Sequence, residues 1–455
     1  MIRTTILAFI YFLSYVVSYA QNLVISDNKR YLVQADKKPF FYLGDTAWEL
    51  FHRLKREEAA EYLENRANKG FTVIQAVILA ELDGLNTPNP YGEKPLINND
   101  VTKPNEGYFK YVDEVIDKAN GLGLFIGLLP TWGDKVNPKW GGGPIVFTPL
   151  NARQYGLFLG KRYKDKKIIW ILGGDRNPDH PRQDSIWREM AAGIKEGDKG
   201  KNLITYHPTG PDNSANFYHN EPWMDFNLIQ SGHYKRNIPN DSMVSENYRL
   251  VPVKPTIDAE PRYEDHPINW NTSNGYFDEF DVRQAFYQSM LSGSCGHTYG
   301  HHAVWQMYDT GRNPIAWPRV PWKQALDFPG ALQMGLGRKV FESRPWQLLV
   351  PDQSLLVTEN YAPINRAKAS LAANKSFAFV YIPTGIKTIV NTDKLSGKEL
   401  AGYWFNPRTG ETISLGTMTK QSTLSFDPPG DYGRGNDWLL IIEDASAKFG
   451  KLKVR

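Results

Sequence analysis

The sequence has a single cysteine and no long hydrophobic run beyond its first 20 residues. Because Cys295 has no partner in the chain, an internal disulfide is excluded, and the fold must be stabilised by the burial of apolar side chains. No later apolar run reaches the ~20 residues that a membrane-spanning helix requires. No glycine-rich dinucleotide motif or phosphate-binding loop follows the first apolar strand, which argues against a nucleotide-binding sheet.

The sequence also has little excess of either charge. Its 53 Lys and Arg residues nearly balance its 49 Asp and Glu residues, and the formal net charge is +4. The only basic cluster is in the tail, at Lys448, Lys451, Lys453 and Arg455. The sequence therefore predicts no nucleic-acid partner. A zinc motif of the H-E-x-x-H type is absent. His301 and His302 fall in a predicted strand, where neighbouring side chains point to opposite faces, so the two cannot bind one metal ion. We expect no metal and no cofactor.

The first 20 residues are typical of a secretory signal peptide. Arg3 precedes an apolar stretch from Ile6 to Val17, and Ser18-Tyr19-Ala20 precedes the expected cleavage before Gln21. A membrane anchor is the alternative, but the stretch is too short to span a bilayer. We expect an exported protein, periplasmic or secreted, with no membrane span after cleavage of the signal.

From residue 40 to about 345, short apolar runs alternate with helical patterns, which is typical of strand–helix units around a parallel sheet. Eight such units predict a closed (β/α)8 TIM barrel, and an open doubly wound sheet is the alternative. After Pro351, short alternating strands separated by turns predict a small C-terminal β-sandwich. The expected organisation is a signal peptide at 1–20, a catalytic barrel at 21–349 and a β-sandwich at 350–455.

The predicted barrel strands are residues 40–44, 71–79, 122–129, 167–172, 202–206, 226–230, 255–258 and 297–304. Three helices are the clearest, at 108–120, at 57–68 and from Thr148-Pro149 onward, where an N-cap precedes a proline in the first turn. In the C-terminal domain, strands are predicted at 377–382 and 438–442, with a turn at 406–410.

Two carboxylates directly follow predicted strands, at the end of a barrel where active sites lie. Asp175 follows the fourth strand, and Glu260 follows the seventh. Hydrolysis of a glycosidic bond needs a proton donor for the leaving oxygen and a second carboxylate, which acts as nucleophile or activates water. An ionised Glu260 should raise the pKa of Asp175 and keep it protonated as general acid. The alternative is that either acid only caps a helix or pairs with Arg176 or Arg262.

Five segments resemble the apiosidase-like glycoside hydrolases, and the resemblance extends over essentially the whole mature chain. They are residues 43–48, 66–75, 169–178, 258–261 and 403–410. The resemblance implies a retaining (β/α)8 hydrolase that acts on plant pectin side chains, particularly apiose linkages of rhamnogalacturonan II. It also implies Asp175 as acid/base and Glu260 as nucleophile. The wider clan of retaining glycosidases usually ends its fourth strand in Asn-Glu, whereas Gly174-Asp175 stands here.

The C-terminal domain is similar to modules once labelled collagen-binding, although nothing in its sequence indicates collagen recognition. Support of the barrel and independent ligand binding are the two roles that stay open.

Aromatic residues are abundant, with 13 Trp, 24 Tyr and 22 Phe. An indole face can stack on the C–H groups of a sugar, and Asp and His can hydrogen-bond its hydroxyls, although core packing is the alternative for each Trp. The candidate substrate-binding residues, all just past predicted strands, are Asp45, Trp48, Trp132, His207, His233, Tyr234 and Trp305. In similar barrels a tyrosine orients the nucleophile, which gives that role to Tyr234.

The expected partner is a plant cell-wall oligosaccharide, and no particular oligomeric state is implied. Two other functions stay open. One is a glycosidase of other specificity, for an arabinofuranoside or a β-glucan. The other is a non-catalytic carbohydrate-binding protein that keeps the aromatic cleft.

Overall fold

The computed structural model describes residues 22–358, 363–452 and 454. The predicted signal peptide at 1–20 lies outside the described residues. In the part of the chain that is described, no helix is both long enough and apolar enough to cross a membrane.

A small antiparallel sheet precedes the barrel, and it consists of β1 (Val24–Ile25), β2 (Leu32–Val33) and β3 (Pro39–Phe40). The sequence did not indicate these strands, because two residues are too few for a visible alternation of apolar and polar side chains.

Eight parallel strands form the barrel, and their side chains are buried on both faces. This double burial explains why each strand is a short, nearly continuous apolar run. The strands are β4 (Tyr42–Thr46), β5 (Val73–Leu79), β6 (Phe125–Thr131), β7 (Ile168–Gly173), β8 (Ile204–His207), β10 (Asn227–Gln230), β11 (Thr256–Asp258) and β12 (Gly296–Tyr299), with an antiparallel edge strand β9 (Asp212–Asn213) beside β10.

Hydrogen-bonded ladders join these strands in the order β8-β7-β6-β5-β4-β12-β11-β10-β9. The sheet returns on itself where β8 meets the start of β10. There the backbone N–H of Asp225 donates to the carbonyl of Ile204 at 2.9 Å, and the hydroxyl of Thr205 donates to the carbonyl of Phe226 at 2.6 Å. The predicted TIM barrel is therefore confirmed, and the doubly wound alternative is wrong.

All eight predicted strands overlap an observed one, but the last prediction extends too far. The strand β12 ends at Tyr299, and residues 302–305 form a short helix instead of continuing it. The ring Nδ1 of His301 accepts the backbone N–H of Ala303 at 3.1 Å and so caps this helix. His301 and His302 are therefore not strand neighbours, and the argument that placed them on opposite faces was wrong.

The helices surround the barrel, and the three that the sequence predicted are confirmed within one or two residues at each predicted end. Thr148 caps its helix as expected, since its hydroxyl accepts the N–H of Asn151 at 3.3 Å. The helices are α1 (Leu50–Arg53), α2 (Arg56–Asn68), α3 (Glu106–Gly121), α4 (Pro149–Tyr163), α5 (Pro181–Asp198), α6 (Ala215–Tyr218), α7 (Asn240–Tyr248), α8 (Glu279–Met290), α9 (His302–Trp305), α10 (Trp322–Ala325) and α11 (Pro329–Glu342).

The C-terminal part is entirely antiparallel. A six-stranded sheet has the order β13-β14-β15-β20-β17-β18, and β16 pairs with β19 in a second, two-stranded sheet. The strands are β13 (Leu349–Pro351), β14 (Lys368–Ala372), β15 (Phe377–Ile382), β16 (Thr388–Asn391), β17 (Glu399–Phe405), β18 (Thr412–Thr419), β19 (Thr423–Phe426) and β20 (Trp438–Asp444). The predicted strands at 377–382 and 438–442 and the turn at 406–410 are confirmed.

The large C-terminal sheet packs on the barrel domain with one face and on the two-stranded sheet with the other. In β15, Ala378 and Val380 belong to the core between the two sheets. The alternate residues Phe379 and Tyr381 belong to a core that continues into the barrel. The ring of Tyr381 stacks on Tyr287 of α8 with centroids 4.7 Å apart. The two domains therefore share one hydrophobic core.

Candidate active site

Asp175 lies just past β7, where three successive residues take the left-handed backbone conformation. Gly173, Gly174 and Asp175 have φ angles of 88°, 103° and 55°. A Cβ at residue 174 would lie 2.9 Å from the ring of Trp132, so the chain requires glycine there. A non-glycine residue in an unusual backbone conformation costs about 1–3 kcal/mol, and such residues cluster at functional sites. The turn directs the Asp175 carboxyl into the barrel mouth.

The loop at 137–143 contacts this acid directly. The indole N–H of Trp140 donates to Oδ2 of Asp175 at 3.0 Å. The fully buried Arg176 fastens the loop, because its Nε donates to the carbonyl of Asn137 at 3.1 Å and its guanidinium lies 4.8 Å from the centroid of the Trp140 ring. Since the indole occupies Oδ2, the other oxygen of Asp175 is the one available to carry a proton.

Glu260 lies two residues past β11 and is 7% exposed. Each of its carboxylate oxygens faces one imidazole. Nε2 of His207, at the end of β8, lies 3.0 Å from Oε2. Nε2 of His233, in the loop after β10, lies 3.1 Å from Oε1. These two contacts favour the ionised carboxylate.

The two acids are shifted in opposite directions. Burial, and then the negative charge of Glu260, raise the pKa of Asp175, against the hydrogen bond from Trp140 and the charge of Arg176. Burial also acts to raise the pKa of Glu260, but the two imidazoles outweigh it and hold that pKa well below its usual range. The predicted shift of Asp175 is confirmed in direction, with burial a larger cause than the charge of Glu260. The surroundings thus favour the protonated form of Asp175 and the ionised form of Glu260.

Both carboxyl groups line one cavity of about 750 Å³ at the mouth of the barrel. Its wall combines indole rings with a few polar groups, as small-molecule binding pockets do. The aromatic and acidic lining residues are Trp48, Glu81, Asp83, Trp132, Trp140, Asp175, Tyr234, Glu260, Tyr263, Trp270 and Trp305.

Six of the seven candidate substrate-binding residues lie at this site. Trp48, Trp132, His233, Tyr234 and Trp305 line the cavity. His207 lies behind the wall, where it contacts Glu260 and packs edge-on against Trp48 with ring centroids 5.5 Å apart. The structure thus brings these six to one place, with His207 beside Glu260 and not in the lining.

Asp45 is the exception. It is completely buried on β4 and faces the helices, where the Nε of Arg66 and the hydroxyl of Tyr62 both donate to its Oδ2 at 2.6 Å. Because side chains alternate between the two faces of a strand, a residue at the strand end can point outward as readily as inward. The expectation that Asp45 binds sugar is therefore corrected, since Asp45 joins β4 to α2.

The role expected for Tyr234 is also corrected. Tyr234 lines the cavity, but the groups on Glu260 are His207 and His233, together with Tyr263. Burial and the charge of Glu260 raise the pKa of Tyr263 well above its usual value. The path of the loop after β11, which the sequence pattern did not reveal, brings Tyr263 beside Glu260.

Sequence reasoning missed Glu81, Trp140 and Trp270. Glu81 lies two residues past β5, so the same strand-end criterion that selected Asp175 could have found it. Burial and the charges of Asp175 and Asp134 raise the pKa of Glu81 to about 8. Trp140 and Trp270 come from long loops, and no short-range pattern marks them.

The model of the family described as "Apiosidase-like, catalytic domain" matches residues 26–347. This chain belongs to the apiosidase-like glycoside hydrolases. The model described as "Putative collagen-binding domain of a collagenase" matches residues 350–443 of this apiosidase-like protein.

Solved structures agree with this assignment. One named "Glycoside hydrolase" is 32% identical, with a TM-score of 0.87 over 95% of this chain and 98% of that chain. A glycoside hydrolase family 5 structure from Bacteroides vulgatus is 30% identical, with a TM-score of 0.87 over 95% of this chain and 94% of that chain. Another Bacteroides vulgatus glycoside hydrolase, 15% identical with a TM-score of 0.69 over 93% of this chain and 82% of that chain, shares the fold. No curated protein matches this apiosidase-like chain.

Proposed function

We propose that this glycoside hydrolase is a retaining apiosidase that cleaves side-chain linkages of plant pectin, most specifically apiose linkages of rhamnogalacturonan II. The observation that carries the proposal is the pair of acids in one cavity with opposite pKa shifts, because such a pair divides the roles of proton donor and nucleophile. The pectic specificity rests on the apiosidase-like family to which the barrel belongs.

In the first step, Glu260 attacks the anomeric carbon and the bond to the leaving oxygen breaks. Its ionised state, favoured by His207 and His233, supplies the electron pair for the new bond. The protonated Asp175 gives its proton to the leaving oxygen, which departs as an alcohol. The product of this step is a covalent glycosyl ester on Glu260.

In the second step, water replaces Glu260 on the sugar. Esterification removes the negative charge that helped to raise the pKa of Asp175, so Asp175 becomes a stronger acid than in the first step. The carboxylate then takes a proton from the attacking water and Glu260 leaves as carboxylate. The sugar keeps its anomeric configuration, and both acids return to their starting protonation states.

The test is hydrolysis of a panel that contains rhamnogalacturonan II oligosaccharides, arabinofuranosides and β-glucans, with products identified by mass spectrometry and the first-formed anomer by NMR. We expect apiose-containing products with retained configuration. Hydrolysis of arabinofuranosides or β-glucans without action on any apiosyl substrate would show that the specificity is wrong.

The roles of the acids are tested with amide variants. E260Q should lose turnover on every substrate. D175N should lose it on natural linkages but retain part of it on an aryl glycoside whose leaving group needs no proton. The matched control is D179N, because Asp179 lies four residues beyond Asp175 and pairs with Lys139 outside the cavity. Equal turnover in all three variants and the wild type would remove Asp175 and Glu260 from the mechanism.

Export to the periplasm or medium is part of the same proposal, because a pectin-degrading enzyme must meet a polymer outside the cytoplasm. It rests on the signal-like pattern of residues 1–20. Cell fractionation with mass determination of the mature N-terminus tests it, and an intact Met1 on a cytoplasmic protein would contradict it.

A further inference from the structure

The tryptophans of this protein divide sharply between the core and the surface. Of the 13 in the sequence, ten are buried. The exposed ones are Trp140, Trp270 and Trp317, with exposed fractions of 50%, 48% and 66%. Trp140 is explained by its hydrogen bond to Asp175. Neither Trp270 nor Trp317 has such a role in the mechanism, although both rings present a large apolar surface to water.

The backbone at both residues is unusual in the same way. Trp270 has a φ of 57° and follows Asn269 at 53°, while Trp317 has a φ of 53° and follows Ala316 at 49°. Left-handed backbone disfavours any side chain with a Cβ, and a bulky aromatic residue there is an outlier. Two such residue pairs, each ending in an exposed indole, indicate that the exposed rings serve a purpose other than stability.

Buried side chains hold the two loops that carry Trp270 and Trp317. Nε2 of His302 lies 2.9 Å from the carbonyl oxygen of Ala316. The backbone N–H of Ile315 donates to Gln306 at 2.8 Å. The Trp270 ring lies edge-on to the ring of His266, with centroids 4.4 Å apart. The two indoles are therefore presented by rigid loops, which lowers the entropy lost when a ligand binds.

Both loops are continuous with the catalytic cavity. Trp270 and its neighbour Asn269 line it, and so does Ile315, two residues before Trp317. The same histidine contacts both loops, since the ring of His302 also lies edge-on to Trp270 with centroids 6.4 Å apart. A substrate that extends out of the cavity on this side would pass over the two indoles.

We propose that Trp270 and Trp317 form an outer sugar-binding platform, on which a further sugar ring of an oligosaccharide stacks through its C–H face. The platform rests on the proposed hydrolase function and deepens it, since it makes the preferred substrate an oligosaccharide that extends beyond the cleaved linkage. An aryl monosaccharide glycoside fills only the cavity and does not reach Trp317.

The test compares kcat/KM for two substrates, namely the oligosaccharide that the wild type hydrolyses fastest and an aryl glycoside of the same terminal sugar. Trp317→Gly removes the indole while glycine accepts the left-handed backbone, so the loop is kept. We expect the ratio of oligosaccharide to aryl-glycoside kcat/KM to fall about tenfold in W317G and to fall much less in W317F. In W270G we expect kcat/KM to fall for both substrates, because Trp270 also lines the cavity. The melting temperature of W317G should equal or exceed that of the wild type.

The matched control is Tyr432→Ala, because Tyr432 is 63% exposed on the C-terminal domain, away from the cavity. Its ratio should equal that of the wild type. An unchanged ratio in W317G, with normal hydrolysis of both substrates, overturns the platform and leaves the hydrolase function intact. If the wild type hydrolyses no glycoside at all, the proposed function fails, and the platform fails with it.

Discussion

The Trp140 indole is the contact through which the loop at 137–143 acts on Asp175. Its N–H donates to the Asp175 carboxyl at 3.0 Å, and it opposes the effects of burial and of Glu260 on the pKa of that group. The pKa of Asp175 is thus a balance between burial and the charge of Glu260, which raise it, and the Trp140 hydrogen bond, which lowers it. The kcat/KM profile should fall at high pH as Asp175 ionises and at low pH as Glu260 is protonated.

Replacing Trp140 by Phe removes a hydrogen bond that favours the ionised form, so the pKa of Asp175 should rise. The alkaline limb of kcat/KM should move to higher pH by about half a unit to one unit, as expected for the loss of one hydrogen bond. A pH series on an activated glycoside measures this. Lys139→Met is the control, because Lys139 lies in the same loop and pairs with Asp179. An alkaline limb that stays in place in W140F would contradict the role of the indole.

Glu81 should make the stability of the protein depend on pH. Its pKa is raised from 4.5 to about 8 in the folded protein, by burial and by the charges of Asp175 and Asp134. Between these two values the unfolded chain loses the Glu81 proton while the folded chain keeps it, so stability falls as pH rises through this window.

In E81Q this loss should be absent. The variant should gain stability relative to the wild type between about pH 5 and pH 8, as denaturant titrations at both values would show. Glu64→Gln, on the exposed side of α2, should parallel the wild type. A difference between E81Q and wild type that is the same at both pH values would show that Glu81 ionises normally.

At the scale of single elements, the strand β4 is joined to the helix α2 by a buried ion pair between Asp45 and Arg66. Both side chains are completely buried, so removal of one charge leaves the other without a partner in the core. This pair explains why the LGDTAW segment needs an acid although that acid does not reach the cavity.

Asp45→Asn should therefore lower the free energy of unfolding by about 3 kcal/mol, as breaking a buried pair does. Its KM should stay at the wild-type value, because the side chain faces the helices. Urea unfolding and steady-state kinetics measure the two effects. Trp132→Ala, which removes a cavity wall, should instead raise KM. A raised KM in D45N at unchanged stability would return Asp45 to the sugar site.

The elements that the sequence predicted well are those that repeat. Eight apolar runs, each followed by a helix, were enough to predict the barrel. The position just past a strand was enough to select Asp175 and Glu260 as candidates. Glu81 satisfied the same criterion and was overlooked. Asp45 satisfied it but points to the other face, because the direction of the last side chain depends on the register within the sheet.

Loop residues could not be predicted in this way. Trp140 reaches Asp175 from a loop that Arg176 and Asp179 both hold. Tyr263 reaches Glu260 through a turn that places it against His233, with ring centroids 4.4 Å apart. Such positions depend on contacts between residues far apart in sequence. Periodicity and turn propensity contain no information about them.

For the whole molecule, the shared core between barrel and C-terminal sheet is the dominant feature. Tyr381 stacks on Tyr287, Phe379 packs on Phe341 with centroids 5.3 Å apart, and Arg283 pairs with Asp437 at 2.8 Å in a buried contact. This interface favours support of the barrel as the role of the C-terminal domain.

Phe379→Ala should destabilise both domains together by about 3–5 kcal/mol, the usual cost of truncating a buried Phe. Calorimetry should show one transition at lower temperature, and thermal inactivation of hydrolysis should shift by the same amount. Leu415→Ala, on the outer strand β18 where Leu415 is exposed, is the control and should change neither. Two separate transitions, with inactivation unaffected, would show that the domains unfold independently.

The stacking of Tyr381 on Tyr287 limits how the C-terminal domain can be exchanged for another domain. A gene fusion that exchanged residues 350–455 for an unrelated domain would leave Tyr287 and Phe341 of the barrel facing water. Exposed aromatic rings on α8 and α11 would then promote aggregation of the shortened enzyme. The barrel therefore needs the C-terminal sheet to cover these side chains, and we expect recombination to move the two domains together.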